Sequence, residues 1–182
     1  MSKSKLIIVN GQPGTGKTTL SHKIATQFDV PLISKDTIKE IIFDNVGYSD
    51  REWSVKVGGA TYRIMDYFVK EQLRAGHNLI IESNFNPKFD DFKFQKWQKE
   101  YNFKVLQIIL HAETQVLIDR FEKRNKSGER HPGHDDDNFE TAERISQPLE
   151  PLNIDGQTIQ VDTTDFTKID YKAIYESVKA LN

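Results

Sequence analysis

One short stretch of the sequence gathers residue types that suit phosphate binding. Residues 11–19 read GQPGTGKTT, directly after the apolar run Leu6–Val9 and before a segment whose apolar residues recur with helical spacing. Glycines let successive backbone N–H groups approach an anion closely, and the N-terminus of a following helix adds a partial positive charge. The spacing G-x-x-x-x-G-K-[ST] between a strand and a helix is typical of a phosphate-binding loop, or P-loop. The predicted nucleotide-binding residues are Gly11, Pro13, Gly14, Thr15, Gly16, Lys17, Thr18 and Thr19.

Lys17 and Thr18 carry the chemistry that this loop would supply. A lysine at this position reaches the β- and γ-phosphates, and the hydroxyl of the next residue binds Mg²⁺. ATP and Mg²⁺ are therefore the predicted cofactors. The alternative, a glycine-rich turn with a chance lysine, is disfavoured because the motif and its context agree.

Two acidic residues, Asp36 in LISKDTIKE and Glu82 in NLIIESNFNP, follow predicted strands. Ligands of open α/β sheets bind at the carboxyl ends of the strands. One carboxylate there could accept the proton of an attacking hydroxyl, and the other could hold Mg²⁺ directly or through water. Two plainer interpretations stay open: Asp36 as an acidic residue of a first helical turn, and Glu82 as a solvated strand end.

Length and composition limit the class of protein. The 182 residues suit a single domain, 1–182, and the 25 basic and 27 acidic residues give a formal charge of −2. This balance offers no argument for a polyanionic partner, and the lack of cysteine excludes disulfides and thiolate metal sites. The apolar run near the N-terminus is too short for a signal peptide or a membrane span. We expect a cytoplasmic protein without a membrane partner, and the composition leaves its oligomeric state open.

Strands and helices alternate along the chain. Short apolar or alternating runs predict strands over Leu6–Val9, Pro31–Ile33, Leu79–Ile81, Val105–Leu110 and, near a sheet edge, Thr158–Val161. Helical spacing predicts a helix through Leu20, Ile24 and Phe28, then helices over Thr37–Asn45, from a capping box at Ser49–Glu52 to Leu73, and over Pro87–Tyr101, Thr114–Lys126 and Ile169–Leu181. This order, together with the P-loop motif after the first strand, predicts an α/β fold of the P-loop NTPase type, a three-layer sandwich whose mostly parallel five-stranded sheet has helices on both faces. The irregular stretch Ser127–Asp137 belongs to a predicted lid insertion, approximately 114–146.

The motifs together resemble the P-loop kinases related to polynucleotide kinase, zeta toxins and chloramphenicol phosphotransferase, a group of AAA-type kinases. The resemblance covers most of the chain through about Arg130. GQPGTGKTT resembles the phosphate loop of the group, SKDTIKE its second-strand motif, and IIESNFNP a phage-type segment that reads Asp-Thr-Asn-x-Asn-Pro. Glu82 and Ser83 replace the aspartate and threonine of that segment, whereas Asn84, Asn86 and Pro87 match it.

The resemblance implies roles for several of these residues. It implies a general base at Asp36 and a phosphate or acceptor contact at Lys39, three positions later. It further implies acceptor binding by Asp36, Glu82 and Asn84 and metal binding by Thr18 and Glu82. The glutamate that stands in place of aspartate leaves its role open between metal and acceptor.

Three arginines follow the fourth predicted strand, at Arg120, Arg124 and Arg130. In the resembled group, arginines in this region close over the γ-phosphate and stabilise the charge of the transition state, a task that the fixed donor fork of guanidinium suits. The alternative is a solvated helix in which Asp119 and Glu122 pair with the arginines. The nearby sequence RHPGHDDD contains metal-ligand types, but a solvated loop is favoured over a dedicated metal site, and nucleotide or acceptor contact is favoured for His131 and His134. Tyr48 and Trp53 could line an acceptor pocket or pack between helices.

Three classes of function are compatible with the P-loop: an ATP-dependent kinase, a regulatory P-loop switch or GTPase, and an AAA-type motor subunit. The favoured one is an ATP-dependent kinase that phosphorylates a hydroxyl group of a small-molecule acceptor, because basic and acidic residues are interleaved and no long basic run suits a nucleic acid. A polynucleotide 5′-hydroxyl kinase is the nearest alternative. A regulatory P-loop switch or GTPase is weaker, since Asn125-Lys-Ser-Gly128 lacks the aspartate of a guanine-reading loop. An AAA-type motor subunit normally needs an additional helical domain that the length does not accommodate.

Overall fold

A five-stranded sheet forms the centre of the computed structural model, which describes residues 3–128, 130–134, 145, 147 and 149–181. The strands are β1 Lys5–Gly11, β2 Leu32–Ser34, β3 Leu79–Ser83, β4 Lys104–His111 and β5 Gln157–Asp162. All paired strands are parallel, in the order β2-β3-β1-β4-β5. The predicted P-loop NTPase fold is confirmed, with a fully parallel sheet and the last strand at its edge.

The helices of the described chain connect these strands and agree with the predicted segments to within one or two residues at each end. They are α1 Lys17–Phe28, α2 Lys35–Val46, α3 Arg51–Arg74, α4 Pro87–Tyr101, α5 Thr114–Ser127 and α6 Tyr171–Ala180, with a short 3₁₀ helix at Phe166–Lys168. The predicted lid, 114–146, is described only in part, as α5 with the following Gly128, residues 130–134 and residue 145.

The start of α3 differs from the prediction. The capping box at Ser49–Glu52 is wrong, because the carboxylate of Asp50 accepts the bond from the Trp53 backbone N–H at 2.8 Å. An N-cap side chain bonds the N–H group two or three residues ahead, and aspartate serves this role as well as serine. The helix therefore begins one residue later than a serine cap would place it.

Side-chain alternation along the strands creates a core on each face of the sheet. Leu6 and Ile8 of β1 face a cluster with Met65 and Val69 of α3 and Phe94 of α4. On the opposite face, a second cluster joins further sheet residues to α1 and α6, and its members include Ile7, Val9, Leu20, Ile24, Ile174 and Val178. Successive residues of a strand point to opposite faces, so these near-continuous apolar strands are buried on both sides.

The register of the sheet brings the carboxyl ends of the strands together. Glu82 of β3 is level with Val9 of β1 and with Ser34 of β2. The buried side-chain amide of Asn10 in β1 holds the loop that follows β3. It donates to the Phe85 carbonyl at 2.9 Å and accepts from the Phe85 N–H at 3.0 Å. Ends of three strands therefore form one rigid edge beneath the P-loop.

Among the described helices, none combines the length and apolarity that a membrane crossing requires.

Candidate active site

The P-loop runs from the end of β1 into α1. Gly14 and Gly16 have φ values of 84° and 80°, a left-handed conformation that residues with a Cβ seldom adopt. The fully buried Thr15 donates its hydroxyl to the Gln12 carbonyl at 2.8 Å, and Lys17 donates its ammonium to the same carbonyl at 3.0 Å. Burial lowers the pKa of Lys17, an effect that nearby carboxylates oppose. The loop thus holds one buried cation at the start of a helix, which favours anions.

Most of the predicted nucleotide-binding residues line a cleft of about 510 Å³ above this edge of the sheet. They are Pro13, Gly14, Gly16, Lys17, Thr18 and Thr19. Gly11 and Thr15 lie beneath the loop: a Cβ at Gly11 would come within 2.7 Å of both the Leu110 carbonyl oxygen and the Thr15 hydroxyl. These two residues therefore stabilise the loop from its buried side and do not line the cleft.

Glu82 lies inside β3 and is only 2% exposed, so the interpretation as a solvated strand end is wrong. Its Oε2 accepts a hydrogen bond from Ser34 at 2.6 Å and one from Thr18 at 3.3 Å. These oxygen donors fit Mg²⁺, which usually takes one or two protein oxygens and completes its shell with water and phosphate. In the described part of the chain, no cluster of three or more His, Cys, Asp or Glu side chains is arranged for a metal ion. Among the described residues, Thr18 and Glu82 provide oxygen atoms at one point that could hold such an ion.

Asp36 occupies the first turn of α2 and lines the same cleft. Its carboxylate pairs with the ammonium of Lys35 at 2.9 Å, while its side chain stays 48% exposed. Burial by itself would raise the pKa of Asp36, but Lys35, His134 and Lys17 outweigh it and hold the pKa well below its usual range. Asp36 is therefore ionised at neutral pH and can accept a proton or a hydrogen bond from a ligand in the cleft.

Lys39 and Asn84, the other two predicted acceptor residues, also line the cleft. Lys39 is buried at 6% exposure, and its ammonium donates to the Ser54 hydroxyl at 2.8 Å. Ser54 in turn donates to the Gly133 carbonyl at 3.1 Å. Helix α2, helix α3 and residues 130–134 are thereby connected on the side of the cleft that faces the P-loop.

The three predicted arginines lie in two different places. Arg124 and Arg130 line the cleft, whereas Arg120 does not. The guanidinium of Arg120 donates to the carbonyls of Thr163 at 2.9 Å and Thr164 at 3.0 Å, and its carbon lies 3.8 Å from the ring centre of Phe166. Arg120 also contacts the Gly14 carbonyl at 3.4 Å, so it connects the P-loop to the end of β5.

Residues 130–134 pack against α2 through two histidine–carboxylate pairs. His131 lies 3.1 Å from Asp44 and stacks on Phe43, and His134 lies 2.9 Å from Glu40. Of the two, His134 lines the cleft. The acidic residues 135–137 that suggested a metal site lie outside the described residues.

The two aromatic candidates for an acceptor pocket lie away from the cleft. Tyr48 makes edge contacts with the rings of Phe43 and His131, and the Trp53 indole donates to the Gly47 carbonyl at 3.0 Å. Trp53 thus supports the packing of α3 against the end of α2, and Tyr48 packs between α2 and residues 130–134.

Sequence reasoning missed several residues of the cleft. Ser34, which orients Glu82, carried no signal beyond its place at a strand end. The wall opposite the P-loop comes from the cleft-facing side of α3, and its residues are Arg51, Ser54, Val55, Gly58, Gly59 and Tyr62. Their helical spacing was visible, and the adjacent glycines inside a long helix were the one signal that could have marked this wall.

The chain belongs to the AAA domain family, whose model matches residues 6–149. A solved structure of a candidate kinase from Chloroflexus aurantiacus J-10-fl is 40% identical, with a TM-score of 0.94 and coverage of 100% of both chains. The chain is thus a P-loop kinase domain of this family, which confirms the resemblance that its motifs predicted.

Other similarities are more distant. A cytidylate kinase of Pyrobaculum neutrophilum is 28% identical over 43% of this chain and 44% of its own length. A tRNA dimethylallyltransferase of Latilactobacillus sakei subsp. sakei is 30% identical over 58% of this chain and 29% of its own length. The alignments therefore span less than half the length of both curated relatives.

Two further solved structures share the fold. A gluconokinase from Sinorhizobium meliloti 1021 is 17% identical, with a TM-score of 0.58 and coverage of 98% of this chain and 93% of its own. A chain of the Pnkp1/Rnl/Hen1 RNA repair complex is 17% identical, with a TM-score of 0.60 and coverage of 80% and 44%. At these identities the likeness extends to the fold alone.

Proposed function

We propose that the protein transfers the γ-phosphoryl group of ATP to a hydroxyl group of a small-molecule acceptor. The observation that carries this proposal is the position of Asp36, an ionised carboxylate on the wall of the cleft that also contains Lys17, Thr18 and Glu82. A cleft built only to bind a nucleotide does not need a second carboxylate beside the phosphates, whereas transfer to a hydroxyl does.

The roles of the residues follow from their positions in the cleft. The P-loop N–H groups and Lys17 bind and orient the β- and γ-phosphates. Thr18 and Glu82 would hold Mg²⁺, which neutralises phosphate charge when bound. Arg124 and Arg130 lie where guanidinium groups could stabilise charge on the transferred group, and the predicted lid would carry them.

In the proposed reaction, the acceptor oxygen forms a bond to the γ-phosphorus while the bond from that phosphorus to the β–γ bridging oxygen breaks. ADP leaves with the electron pair of the broken bond, and the hydroxyl proton passes to the carboxylate of Asp36. Because the transition state of phosphoryl transfer is loose, the low pKa of Asp36 suits a residue that orients the hydroxyl and takes its proton late.

A small acceptor is favoured over a nucleic-acid end by the charge of the chain. The formal charge is −2, and basic residues alternate with acidic ones in segments such as RFEKRNKSGER. Tracking a polynucleotide takes several phosphate contacts, and these usually need a basic surface. We also propose that the reaction occurs in the cytoplasm, where Mg-ATP is available.

The test is a transfer assay with labelled ATP. A panel of hydroxylated sugars, nucleosides, cyclic acids and antibiotics is offered beside 5′-hydroxyl DNA and RNA oligonucleotides, with Lys17→Ala as the inactive control. Labelling of a small compound by the wild type alone supports the proposal. Efficient labelling of oligonucleotides that weakens steeply with salt would instead support the polynucleotide kinase, and nucleotide binding without transfer to any compound would support a regulatory protein.

A further inference from the structure

Two consecutive glycines, Gly58 and Gly59, lie well inside helix α3 and face the cleft. Glycine in a helix interior is destabilising relative to alanine, because it loses more conformational freedom on folding. Neither residue has a left-handed φ that would call for glycine. Backbone geometry therefore does not explain the pair.

Packing does not explain it either. A Cβ at Gly59 would meet no described atom within 4 Å, and one at Gly58 would meet only the side chain of Lys39, at 3.9 Å. Alanine would thus fit at both positions against the rest of the described chain. The space in front of the glycines belongs to the cleft.

One helical turn beyond the glycines, Tyr62 lies on the same face of α3 and also lines the cleft. Its hydroxyl is 2.9 Å from that of Ser83, and burial raises the pKa of Tyr62 to about 12. The ring is therefore held in one orientation and stays neutral. Together, Gly58, Gly59 and Tyr62 line one stretch of the cleft, with two positions without side chains followed by a fixed aromatic ring, and we call this stretch the flat surface.

We propose that this flat surface receives the ring of the acceptor, so that the acceptor is a hydroxylated ring compound. The proposal rests on the proposed function, in which the acceptor occupies the cleft between the P-loop and α3. A ring that packs on the helix backbone at Gly58 and Gly59 would lose its place if methyl groups were added there. The buried ammonium of Lys39, held by Ser54, lies at the base of this surface and can donate to an oxygen substituent of the ring.

A second cavity of about 390 Å³ adjoins the cleft and is the competing location for the acceptor. Both cavities are lined by Pro13, Lys35, Asp36, Tyr62 and Asn84. The second one extends towards Phe89, whose side chain is 74% exposed, and contains neither glycine. Substitutions at Phe89 and at the glycines therefore distinguish the two locations.

The experiment compares wild type with Gly58→Ala/Gly59→Ala, with Phe89→Ala and with Ala60→Ser. The last variant is the matched control, because it adds one heavy atom at an exposed position of α3 outside the cleft. Binding of shikimate, myo-inositol and cytidine as ring probes, and of glycerol and D-gluconate as open-chain probes, is measured by saturation-transfer NMR in the presence of Mg-ADP. Melting temperatures, Mg-ADP affinity and phosphorylation of the probes by ATP are measured in parallel.

We expect at least one ring probe to bind the wild type and Ala60→Ser equally. The double glycine variant should lose that affinity about tenfold or more, as added bulk in a packed contact does. Its Mg-ADP affinity should be unchanged, and its melting temperature should rise by about 2 to 6 °C, because alanine stabilises the helix.

Several results would overturn the inference. They are unchanged ring binding in the double glycine variant, loss of binding in Phe89→Ala alone, and binding of open-chain probes only or of no probe. Failure of the proposed function has a different signature. In that case a ring probe binds at the flat surface, and the double glycine variant loses this binding, but no phosphate is transferred to the probe.

Discussion

The hydroxyl of Thr18 lies 3.3 Å from Oε2 of Glu82, so the first turn of α1 and the end of β3 meet at one point of the cleft. The register of the sheet produces this contact, because it sets Glu82 level with Val9, just before the P-loop, and level with Ser34 on the other side. Ser34 then fixes the orientation of the carboxylate through a bond of 2.6 Å. Helix α1 and strand β3, far apart in sequence, thereby present oxygen atoms to one position that suits Mg²⁺, while Ser34 orients the carboxylate.

Glu82→Gln should weaken Mg²⁺ binding at the site without changing the fold. The amide retains the shape but loses the charge that attracts the cation, so we expect the Mg²⁺ concentration for half-maximal transfer to rise about 10- to 100-fold. Phosphoryl transfer measured across a Mg²⁺ titration gives this value. Ser34→Ala, which removes only the orienting bond, should give a smaller change in the same direction. An unaltered Mg²⁺ dependence in Glu82→Gln would remove Glu82 from the metal site.

Asp36→Asn separates nucleotide binding from chemistry. The substitution keeps the shape of the side chain but removes the proton acceptor, so kcat should fall by about 10²- to 10⁴-fold with little change in ATP affinity. Because Lys35 and its neighbours hold the pKa of Asp36 below its usual range, the wild-type rate should show no acid limb from this group between pH 5 and 7. Steady-state kinetics and an ATP titration measure the two effects. A normal kcat in the variant would make Asp36 only a residue of the first helical turn.

Arg120 and Arg124 should differ in the parameter that they control. Arg120 connects Gly14 to the end of β5 and lies outside the cleft, so Arg120→Ala should mainly weaken ATP binding, by about tenfold. Arg124 lines the cleft, so Arg124→Ala should mainly lower kcat. ATP affinity by calorimetry and kcat by transfer assay distinguish the two, with the melting temperature as a folding control. The prediction is wrong if both variants lose the same parameter.

Much of the fold could be predicted because local signals agreed with one another. The P-loop motif stands between a strand and a helix, and the apolar strand runs reflect burial on both faces of the sheet. Helix and strand boundaries shifted by a residue or two, as at Asp50, where two adjacent residues were both able to cap.

The site was less predictable where it depends on tertiary contacts. Asp36 and Glu82 could be named from their strand ends, but the burial of Glu82 and its bond to Ser34 follow from strand register, which no local pattern encodes. The position of Arg120 outside the cleft depends on carbonyl groups of the chain after β5, distant in sequence. Two residues on the same face of a helix can therefore have different surroundings: Arg124 lines the cleft, and Arg120 lies outside it.

The packing of residues 130–134 on α2 should weaken as the pH falls. Burial lowers the pKa of His134, with a further lowering by Arg130 and Lys39, against the opposing influence of Asp36 and Glu40. A histidine with a depressed folded-state pKa contributes its full stability above the unfolded value of about 6.5 and loses it as the pH falls through the folded value. Hydrogen exchange of the backbone N–H of residue 134, which bonds the carbonyl of residue 131 at 3.0 Å, should therefore accelerate relative to the intrinsic rate as the pH falls below about 6.5.

His134→Gln should remove this pH dependence, because glutamine does not titrate. His22→Gln is the matched control, since His22 is exposed on α1 and away from the segment. If protection of residues 130–134 in the wild type is flat from pH 7.5 to 5, the histidine does not control the packing.

Lys93 of α4 stabilises the contact between α3 and α4. Its ammonium lies 3.1 Å from Asp66 and 2.9 Å from Asp90, and 5.2 Å from the ring centre of Phe94. Burial raises the pKa of Asp66, an effect that Lys93 opposes. Removal of the ammonium group would leave two largely buried carboxylates without the positive charge that pairs with them. Lys93→Met should therefore lower the free energy of unfolding by about 3 kcal/mol at pH 7.

The loss of unfolding free energy caused by Lys93→Met should become smaller as the pH falls towards 4. Protonation of Asp66 removes its uncompensated charge, and a carboxyl with a raised folded-state pKa contributes stability that is fully present below the unfolded value and is lost as the pH rises through the folded value. Urea unfolding of both proteins at pH 7 and pH 4 measures the two differences, and Lys96→Met, at an exposed position of the same helix, should change stability little at either pH. A deficit of equal size at both pH values would mean that Lys93 acts by filling space among the aromatic rings and not by its charge.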